Sequence, residues 1–261
     1  MIYFTAALSR LAPLVPATPI VLQSRFTWLA ADVIQAVKDN DLVGMICLIA
    51  TAIGSILSWG VIAYKALYLH LAKSQTKIFL ERCMGGEGNL LHSFQLAGGY
   101  QDSPLAQVLR EAYLEMEMVN WYQNEKGLSL DAKIANSKEN VERAIEIAAS
   151  KEIHRLEDKL GLLLGIANVS PLIGLFGTVW GILGAFQVVA KEGTAAVGSL
   201  APGVSTALMT TVAGLIAAIP AVIAYAYFYS VVQDLERRMD AFGHEVSNII
   251  QKNVLRRNSK G

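Results

Sequence analysis

Residues 167–186 read ANVSPLIGLFGTVWGILGAF, within a stretch between Lys159 and Lys191 that carries no charge. About 20 consecutive apolar residues are enough for a helix to cross a bilayer. This stretch also contains polar residues, a proline and glycines at spacings of three and four: Gly174, Gly177, Gly181 and Gly184. Residues at those spacings share one side of a helix, so a neighbouring helix can approach that side closely. The stretch therefore predicts a membrane helix that packs against other helices.

The whole chain has the composition of a membrane protein. Its 261 residues are 53% hydrophobic and 17% charged, with a mean hydropathy of +0.40, whereas soluble domains are about 25% charged. Three apolar segments predict transmembrane helices at residues 42–64, 160–190 and 203–232. We therefore expect an all-α membrane protein whose three transmembrane helices carry long helical extensions.

The distribution of Lys and Arg predicts the orientation. Twelve of them lie in residues 65–159 and six in residues 233–261, and the remaining four are Arg10, Arg25, Lys38 and Lys191. Because Lys and Arg accumulate in cytoplasmic segments, we expect residues 65–159 and 233–261 in the cytoplasm. The N-terminal residues 1–41 and a short loop at 191–202 are then periplasmic.

The N-terminal segment is apolar but differs from a cleaved signal peptide. No basic region precedes its hydrophobic stretch, which Pro13, Pro16 and Pro19 interrupt. We expect a retained leader followed by a short interfacial helix over residues 26–37.

Apolar stripes continue beyond the second and third spans. One precedes the second span and consists of Val141, Ile145, Ala148, Leu156 and Leu160. The other follows the third span at alternating spacings of three and four: Val232, Leu235, Met239, Phe242, Val246 and Ile249. Such spacing is typical of packed helices. We expect both apolar segments to continue as cytoplasmic helices, with stripes that face each other or a neighbouring subunit.

No enzyme signature is present. The two cysteines lie outside any CxxC or Cys/His pattern, and the four histidines lack metal-ligand spacing. Basic residues of the 65–159 segment alternate with acidic ones, which argues against a nucleic-acid surface. We expect a protein that is not an enzyme and has no cofactor, no metal site and no nucleic-acid partner.

The membrane segments contain hydroxyls but no carboxylate. Between Lys159 and Asp234 the only charges are Lys191 and Glu192, whereas seven polar side chains lie in the last two spans: Asn168, Ser170, Thr178, Ser205, Thr206, Thr210 and Thr211. Each hydroxyl has a simpler explanation, which is a bond to a carbonyl of its own helix. Their clustering nevertheless favours a wet or ion-handling interior. Since hydroxyls do not carry protons at neutral pH, a proton path here requires a carboxylate from another chain.

Two motifs resemble a known family. The sequence ANVSPLIGLFGTVWGILGAF at 167–186 is similar to the second-span motif of the ExbB/TolQ family, which is related to the flagellar stator protein MotA. Residues 201–208 (APGVSTAL) and 214–221 (GLIAAIPA) are similar to the third-span motif. Ser58-Trp59, Lys65 and residues 103–106 match more loosely. The resemblance extends from about residue 26 to the end of the chain and is closest to ExbB/TolQ.

The resemblance implies a ring-forming homo-oligomer, a pentamer, in the bacterial inner membrane. It also implies a single-span ExbD- or TolR-like partner that supplies an aspartate, and a TonB- or TolA-like protein as a further partner. Membrane lipids are expected to contact the protein as well. The ion pathway maps onto Thr178 and Thr211, and onto Thr206, where the family commonly has glutamate. The remaining site residues are assigned to helix packing and the pore wall: Pro171, Gly174, Gly177, Gly181, Gly184, Pro202, Gly203, Gly214 and Pro220. We expect the glycine face of the second span to form the ring, and the prolines either to bend helices around a cavity or to adjust packing.

The function expected from these observations is a proton-channel or stator subunit. With its partner it would convert the proton motive force into mechanical work on the cell envelope, as in TonB-dependent uptake. The alternatives are a divergent stator for envelope maintenance or motility, of the TolQ or MotA kind, and a purely structural membrane scaffold. A solute transporter is disfavoured because three spans without midplane charge or inverted repeat are atypical of transporters.

Overall fold

The computed structural model describes residues 41–84, 90–126, 130–193 and 197–258, and the part of the chain that it describes is helical without strands. The predictions for residues 1–40, including the interfacial helix at 26–37, lie outside this range. The six helices are α1 (Leu42–Met84), α2 (Leu90–Ala97), α3 (Pro104–Lys126), α4 (Leu130–Glu157), α5 (Leu160–Glu192) and α6 (Val197–Asn258).

Three of these helices are long and apolar enough to cross a membrane, namely α1, α5 and α6. They contain the three segments predicted from the sequence and confirm the all-α membrane class. Helix α1 continues past Tyr64 to Met84, and α6 continues to Asn258, so both have helical extensions. The expected extension upstream of the second span is interrupted. Asp158 and Lys159 form a turn, and Lys159 has a φ of 63°, in the left-handed region that ends a helix.

Local sequence signals explain where two helices begin. The Asp41 carboxylate accepts a hydrogen bond from the backbone N–H of Leu42 at 2.8 Å, at the start of α1. Ser103 precedes α3, and its hydroxyl accepts a bond from the N–H of Ala106 at 3.4 Å. Pro104 occupies the first helical position, where its missing N–H costs nothing. Aspartate and serine are common at helix N-termini because their side-chain oxygen accepts a bond from an amide that has no partner within the helix.

The described residues divide into two compact units. Helices α1, α5 and α6 each contribute residues to both units. The first, called the hairpin unit, contains residues 41–53, 170–193 and 197–216. The second, called the bundle unit, contains residues 54–84, 90–126, 130–169 and 217–258.

The core of the bundle unit includes both predicted apolar stripes. All five residues of the stripe before the second span are buried, as are five of the six in the stripe after the third: Val232, Leu235, Met239, Phe242 and Val246. The exception is Ile249, which is half-buried, and its neighbour Ile250 takes the core position. A straight helix with 3.6 residues per turn drifts away from a strict heptad, which explains this shift by one residue.

The two stripes face each other, as predicted. The Ser247 hydroxyl on α6 donates to Glu142 Oε1 on α4 at 3.1 Å. A side-chain carbon added at Gly243 would lie only 2.7 Å from Ile145 Cγ2. Helices α4 and α6 therefore pack directly on each other within one chain.

A buried lysine joins α1 to the end of α4. Lys65 is only 1% exposed, and its Nζ donates to the Leu156 carbonyl at 2.8 Å. Leu156 lies in the last turn of α4. Carbonyls there accept no hydrogen bond from an amide of the same helix, and the helix dipole favours a nearby cation. The ammonium group also lies 5.3 Å from the centroid of the Tyr68 ring. Lys65 is one of the residues that match the family pattern only loosely, and this contact gives it a structural role.

A second polar cluster lies at the start of α3. Asp102 accepts a bond from Gln75 Nε2 at 3.1 Å, and its backbone N–H donates to Gln75 Oε1 at 3.1 Å. Arg155 of α4 lies 4.0 Å from Asp102 and 3.7 Å from Glu152. Burial raises the pKa of the Glu152 carboxyl, while Arg155 and Lys151 oppose that shift. These contacts connect α1, α4 and the turn before α3.

We expect Ser103→Ala to destabilise the bundle unit. Ser103 is fully buried, caps α3 and shares a hydrogen bond with Thr76 Oγ1 at 3.2 Å. Loss of a cap costs about 1 kcal/mol, and a buried hydroxyl left without its partner costs about 1–3 kcal/mol. The exposed Ser150 on α4 provides the matched control, Ser150→Ala. Thermal unfolding in detergent should show a lower midpoint for the Ser103 variant alone; equal midpoints would contradict this role.

Candidate functional site

The candidate site lies in the hairpin unit, where α5 and α6 approach each other through glycines. A side-chain carbon built on Gly174 would lie 2.7 Å from the Thr210 carbonyl oxygen, and one built on Gly214 would lie 2.5 Å from the Ser170 carbonyl oxygen. Real side-chain carbons do not come so close to backbone atoms. The two backbones are therefore in direct contact, and neither glycine has room for a larger residue.

Two further glycines of α5 continue this contact. An added carbon at Gly177 would lie 2.6 Å from Thr210 Oγ1, and one at Gly181 would lie 2.7 Å from Ala207 Cβ. Likewise, a carbon added at Gly203 of α6 would lie 3.0 Å from Ala185 Cβ of α5. These glycines pack α5 on α6 of the same chain. The expectation that this face forms the ring between subunits is thus corrected for Gly174, Gly177 and Gly181.

The remaining packing residues do not take part in the α5–α6 contact in the same way. Gly184 has no heavy atom within 4 Å of its added carbon, so only three of the four predicted glycines face α6. Pro171 lies inside α5 and is half-buried, and Pro202 in α6 is exposed. Pro220 is half-buried and belongs to the bundle unit.

Three threonine hydroxyls converge at the glycine contact. The carbonyl oxygen of Gly174 lies 3.1 Å from Thr178 Oγ1, 3.0 Å from Thr210 Oγ1 and 3.2 Å from Thr211 Oγ1. The carbonyl oxygen of Ala207 lies 3.0 Å from Thr178 Oγ1 and 2.7 Å from Thr210 Oγ1. Thr178 also forms hydrogen bonds with the hydroxyls of Thr210 and Thr211. We call Thr178, Thr210 and Thr211 the threonine cluster.

The threonine cluster has more donors than its carbonyls accept. A carbonyl oxygen has two lone pairs, and one of them serves the backbone bond of its own helix. Gly174 and Ala207 therefore offer one spare lone pair each, while the cluster has one hydroxyl proton per threonine. The third proton must bond to another hydroxyl oxygen. The bonding pattern can change by rotation of hydroxyls alone, without movement of either backbone.

The cluster is accessible through two of its three members. Thr210 is 1% exposed, whereas Thr178 and Thr211 are half-buried. An incoming group would therefore meet Thr178 and Thr211, and Thr210 would support them from behind. Thr178 and Thr211 are the pair selected from the sequence, and the structure brings them into contact. Thr210 was missed as a site residue, because its position opposite Gly177 depends on how α5 is rotated against α6.

Thr206, the third residue of the predicted ion pathway, lies outside the threonine cluster. Its hydroxyl lies 3.1 Å from the Pro202 carbonyl oxygen and 3.0 Å from that of Gly203, both in its own helix. This is the helix-internal bonding that satisfies an isolated threonine in a membrane. Thr51 in α1 bonds in the same way, to the carbonyls of Cys47 and Leu48 at 3.1 and 3.0 Å.

A carboxylate at the start of α1 contacts α5. Trp180 Nε1 donates to Asp41 Oδ2 at 3.0 Å. This bond, and then that from the Leu42 N–H, hold the pKa of Asp41 below its usual range. Asp41 is exposed and remains ionised at neutral pH, so it is unsuited to carry a proton. In the described part of the chain, no three His, Cys, Asp or Glu side chains are grouped as metal ligands.

The chain is similar in sequence to known membrane proteins. The model of the MotA/TolQ/ExbB proton channel family matches residues 101–241. The chain is 32% identical over 220 residues to the Tol-Pal system protein TolQ of Pseudomonas aeruginosa, a match that covers 84% of this chain and 92% of that protein. The TolQ protein of Haemophilus influenzae is 33% identical, over 76% of this chain and 84% of its own.

Proteins named for biopolymer transport match as well. The biopolymer transport protein ExbB of Salmonella typhimurium is 30% identical, over 73% of this chain and 75% of that protein. The chain belongs to the MotA/TolQ/ExbB proton channel family. The family assignment and the three apolar helices make it a multi-pass protein of the inner membrane that serves energy transduction.

In this family member, we expect Gly214→Ala to disrupt the hairpin unit. The added carbon would meet the Ser170 carbonyl oxygen at 2.5 Å, and backbone atoms cannot rotate away. Overpacking of this kind costs about 1–3 kcal/mol. The control is Gly184→Ala, which adds a carbon in open space and should be neutral or stabilise the helix by up to about 1 kcal/mol. Thermal unfolding in detergent distinguishes the two, and similar midpoints would refute the close contact.

Proposed function

We propose that this chain is the ring-forming subunit of a proton-driven motor. In the proposal it surrounds a single-span partner whose aspartate carries the proton past Thr178 and Thr211. The observation that carries it is the threonine cluster, which combines excess hydroxyl donors with a charge-free surrounding sequence. The pentamer and the ExbD- or TolR-like partner follow from the family resemblance. The chain itself then performs no covalent catalysis.

The hydroxyls suit both protonation states of such an aspartate. A hydroxyl donates one hydrogen bond and accepts two. Thr178 and Thr211 would donate to the ionised carboxylate, and they would accept the O–H of the protonated acid after rotating. Bonds to an ionised group are stronger than bonds to a neutral one. The partner would therefore bind differently before and after proton uptake, and this difference is what biases the relative movement of the two components.

The orientation proposed from the sequence gives this movement a direction. Residues 65–159 and 233–261 contain most of the Lys and Arg of the chain and would lie in the cytoplasm, with the loop between α5 and α6 in the periplasm. Protons moving down their gradient would then enter from the α5–α6 loop side. The partner would transmit the resulting force across the periplasm, through a TonB- or TolA-like protein.

We further propose that the energised process is of the Tol-Pal kind. The match to TolQ of Pseudomonas aeruginosa covers 92% of that protein and the match to TolQ of Haemophilus influenzae covers 84%. The match to ExbB of Salmonella typhimurium covers 75% of that protein. TonB-dependent uptake is the second candidate, since relatives named for biopolymer transport have similar identity.

We expect Thr178→Val to abolish most proton flux without unfolding the protein. Valine has the shape of threonine but lacks the hydroxyl, and a hydrogen bond to a charged group contributes about 1.5–3 kcal/mol. Flux through the co-purified complex in proteoliposomes should fall about 10- to 150-fold. Thr178→Ser should restore flux, and Thr51→Val, at a hydroxyl bonded only within its helix, is the matched control.

Three results would contradict the proposal. Absence of proton flux through the wild-type complex would favour a structural scaffold whose hydroxyls serve packing. Unchanged flux in the Thr178→Val complex would remove the Thr178 hydroxyl from the ion path. Proton conduction by this chain reconstituted alone would show that no partner carboxylate is needed.

Deletion of the gene in its native host separates the two processes. A Tol-Pal role predicts sensitivity to detergent and large antibiotics with normal growth on siderophore-bound iron. Selective loss of siderophore-dependent growth would instead assign the chain to TonB-dependent uptake.

A further inference from the structure

A basic cavity lies between α1 and α6 in the bundle unit. Its volume is about 370 Å³. The polar residues that line it are His70, Lys73, Ser74, Thr76 and Lys77 of α1 and Arg238 of α6. This volume falls within the range of small-molecule sites, about 300–1,000 Å³. The cavity is distant in sequence from the threonine cluster, and the proposed motor mechanism does not use it.

The lining of the cavity is basic, although two of its three cations have a carboxylate nearby. The lining described by the structure includes two lysines and an arginine but no carboxylate. Arg238 bonds Asp234 at 3.0 Å, and Lys77 lies 3.9 Å from Glu81, with both side chains of the latter pair largely exposed. Lys73 forms no ion pair within the described residues. The cavity therefore offers an unpaired ammonium group and hydroxyl donors to an anion.

Tyrosines place the cavity at the level of lipid headgroups. Tyr64 and Tyr68 stack on each other just before His70 in α1. In α6, Tyr225 and Tyr229 stack in the same way a few residues before Leu235. Tyrosine is enriched where the membrane core meets water. Both helices thus leave the apolar layer through a tyrosine pair, and the basic cavity follows directly.

An exposed apolar side chain lies on α1 just before the residues that line the cavity. Leu67 lies one helical turn before His70 and shares its face of α1, together with Ser74. Its side chain is 70% exposed, which is unfavourable in water but suited to contact with an acyl chain. A ligand with a phosphate at one end and a hydrocarbon chain at the other matches both features.

We propose that this cavity binds the headgroup phosphate of an anionic phospholipid. Lys73 and Arg238 contact the phosphate from opposite helices, and the Ser74 hydroxyl donates a further hydrogen bond. The acyl chains extend along Leu67 into the membrane. The lipid joins α1 to α6 at the edge of the membrane, and this role does not depend on the proposed motor function.

The test measures lipid binding to the full-length protein by native mass spectrometry. Delipidated protein in detergent is titrated with phosphatidylglycerol and, separately, with zwitterionic phosphatidylcholine. Each basic residue near an anionic lipid contributes an attraction equivalent to about a fivefold change in affinity. Lys73→Gln and Arg238→Gln should each weaken phosphatidylglycerol binding about fivefold, and the double variant about 25-fold. Phosphatidylcholine binding should be weak in all variants.

Arg237→Gln is the matched control. Arg237 is adjacent to Arg238 on α6 and also approaches Asp234, at 4.0 Å, but it does not line the cavity. Phosphatidylglycerol affinity that falls equally in both arginine variants would reduce the effect to general surface charge and overturn the site. Equal affinity of wild type and the double variant would overturn it as well.

A competition experiment distinguishes the lipid from a free anion. Inorganic phosphate at millimolar concentration should leave bound phosphatidylglycerol in place, because it lacks the acyl chain that contacts Leu67. Displacement of the lipid by phosphate alone would replace the proposal by a small-anion site. Thermal unfolding of each variant, measured without added lipid, should match the wild type, which separates lost binding from lost folding.

Discussion

The hairpin unit depends on how closely two backbones approach, and Gly174 and Gly214 set that distance. A side-chain carbon on either glycine would lie within 3.4 Å of the other's Cα. In a membrane the hydrophobic effect does not drive helices together, because lipid chains are as apolar as the side chains. Association must come from close van der Waals contact and from polar bonds between helices. Small residues make both available at once.

The glycine contact and the threonine cluster are one feature. The Gly174 carbonyl can be reached from α6 only because no side chain separates the helices. All three hydroxyl oxygens lie within 3.2 Å of that carbonyl oxygen. A wider spacing would leave each threonine to bond within its own helix, as Thr51 and Thr206 do. Packing therefore determines which hydroxyls remain available for an incoming group. The polar contacts between the helices of this unit therefore depend on the glycines of α5, which have no side chain to block them.

Much of the fold could be predicted from periodicity and apolar length. Three membrane helices and the apolar stripes of α4 and α6 could be predicted, because burial of one face imposes a spacing on the sequence. Spacing left open whether the stripes face each other or a neighbouring subunit. The break at Lys159 could not be predicted, since lysine has no special preference for the left-handed conformation it adopts there. The replacement of Ile249 by Ile250 in the core depends on a helix drift that a strict heptad ignores.

The candidate site was less predictable than the fold. Thr178 and Thr211 were selected through family likeness, whereas the central position of Thr210 required knowledge of how α5 is rotated against α6. Glycine spacing indicated close packing but not its partner, which proved to be the same chain rather than a neighbour. The contact made by Lys65 could not be predicted from the sequence either. Its burial against the Leu156 carbonyl depends on where α4 ends, 91 residues along the chain.

The distribution of ionisable groups is the physical basis for proposing that the proton carrier belongs to another chain. A group that shuttles protons needs a pKa near the surrounding pH, and threonine hydroxyls do not have one. The carboxylate nearest the start of α1, Asp41, is held ionised by the Trp180 and Leu42 N–H groups. Thr206 stands where the family commonly has glutamate, and its hydroxyl is already satisfied by its own helix. A resident carboxylate would occupy the excess donors of the threonine cluster permanently. Without one, the third hydroxyl proton bonds to another hydroxyl oxygen, and in the proposed motor rotation of that hydroxyl would redirect the proton to the partner's carboxylate.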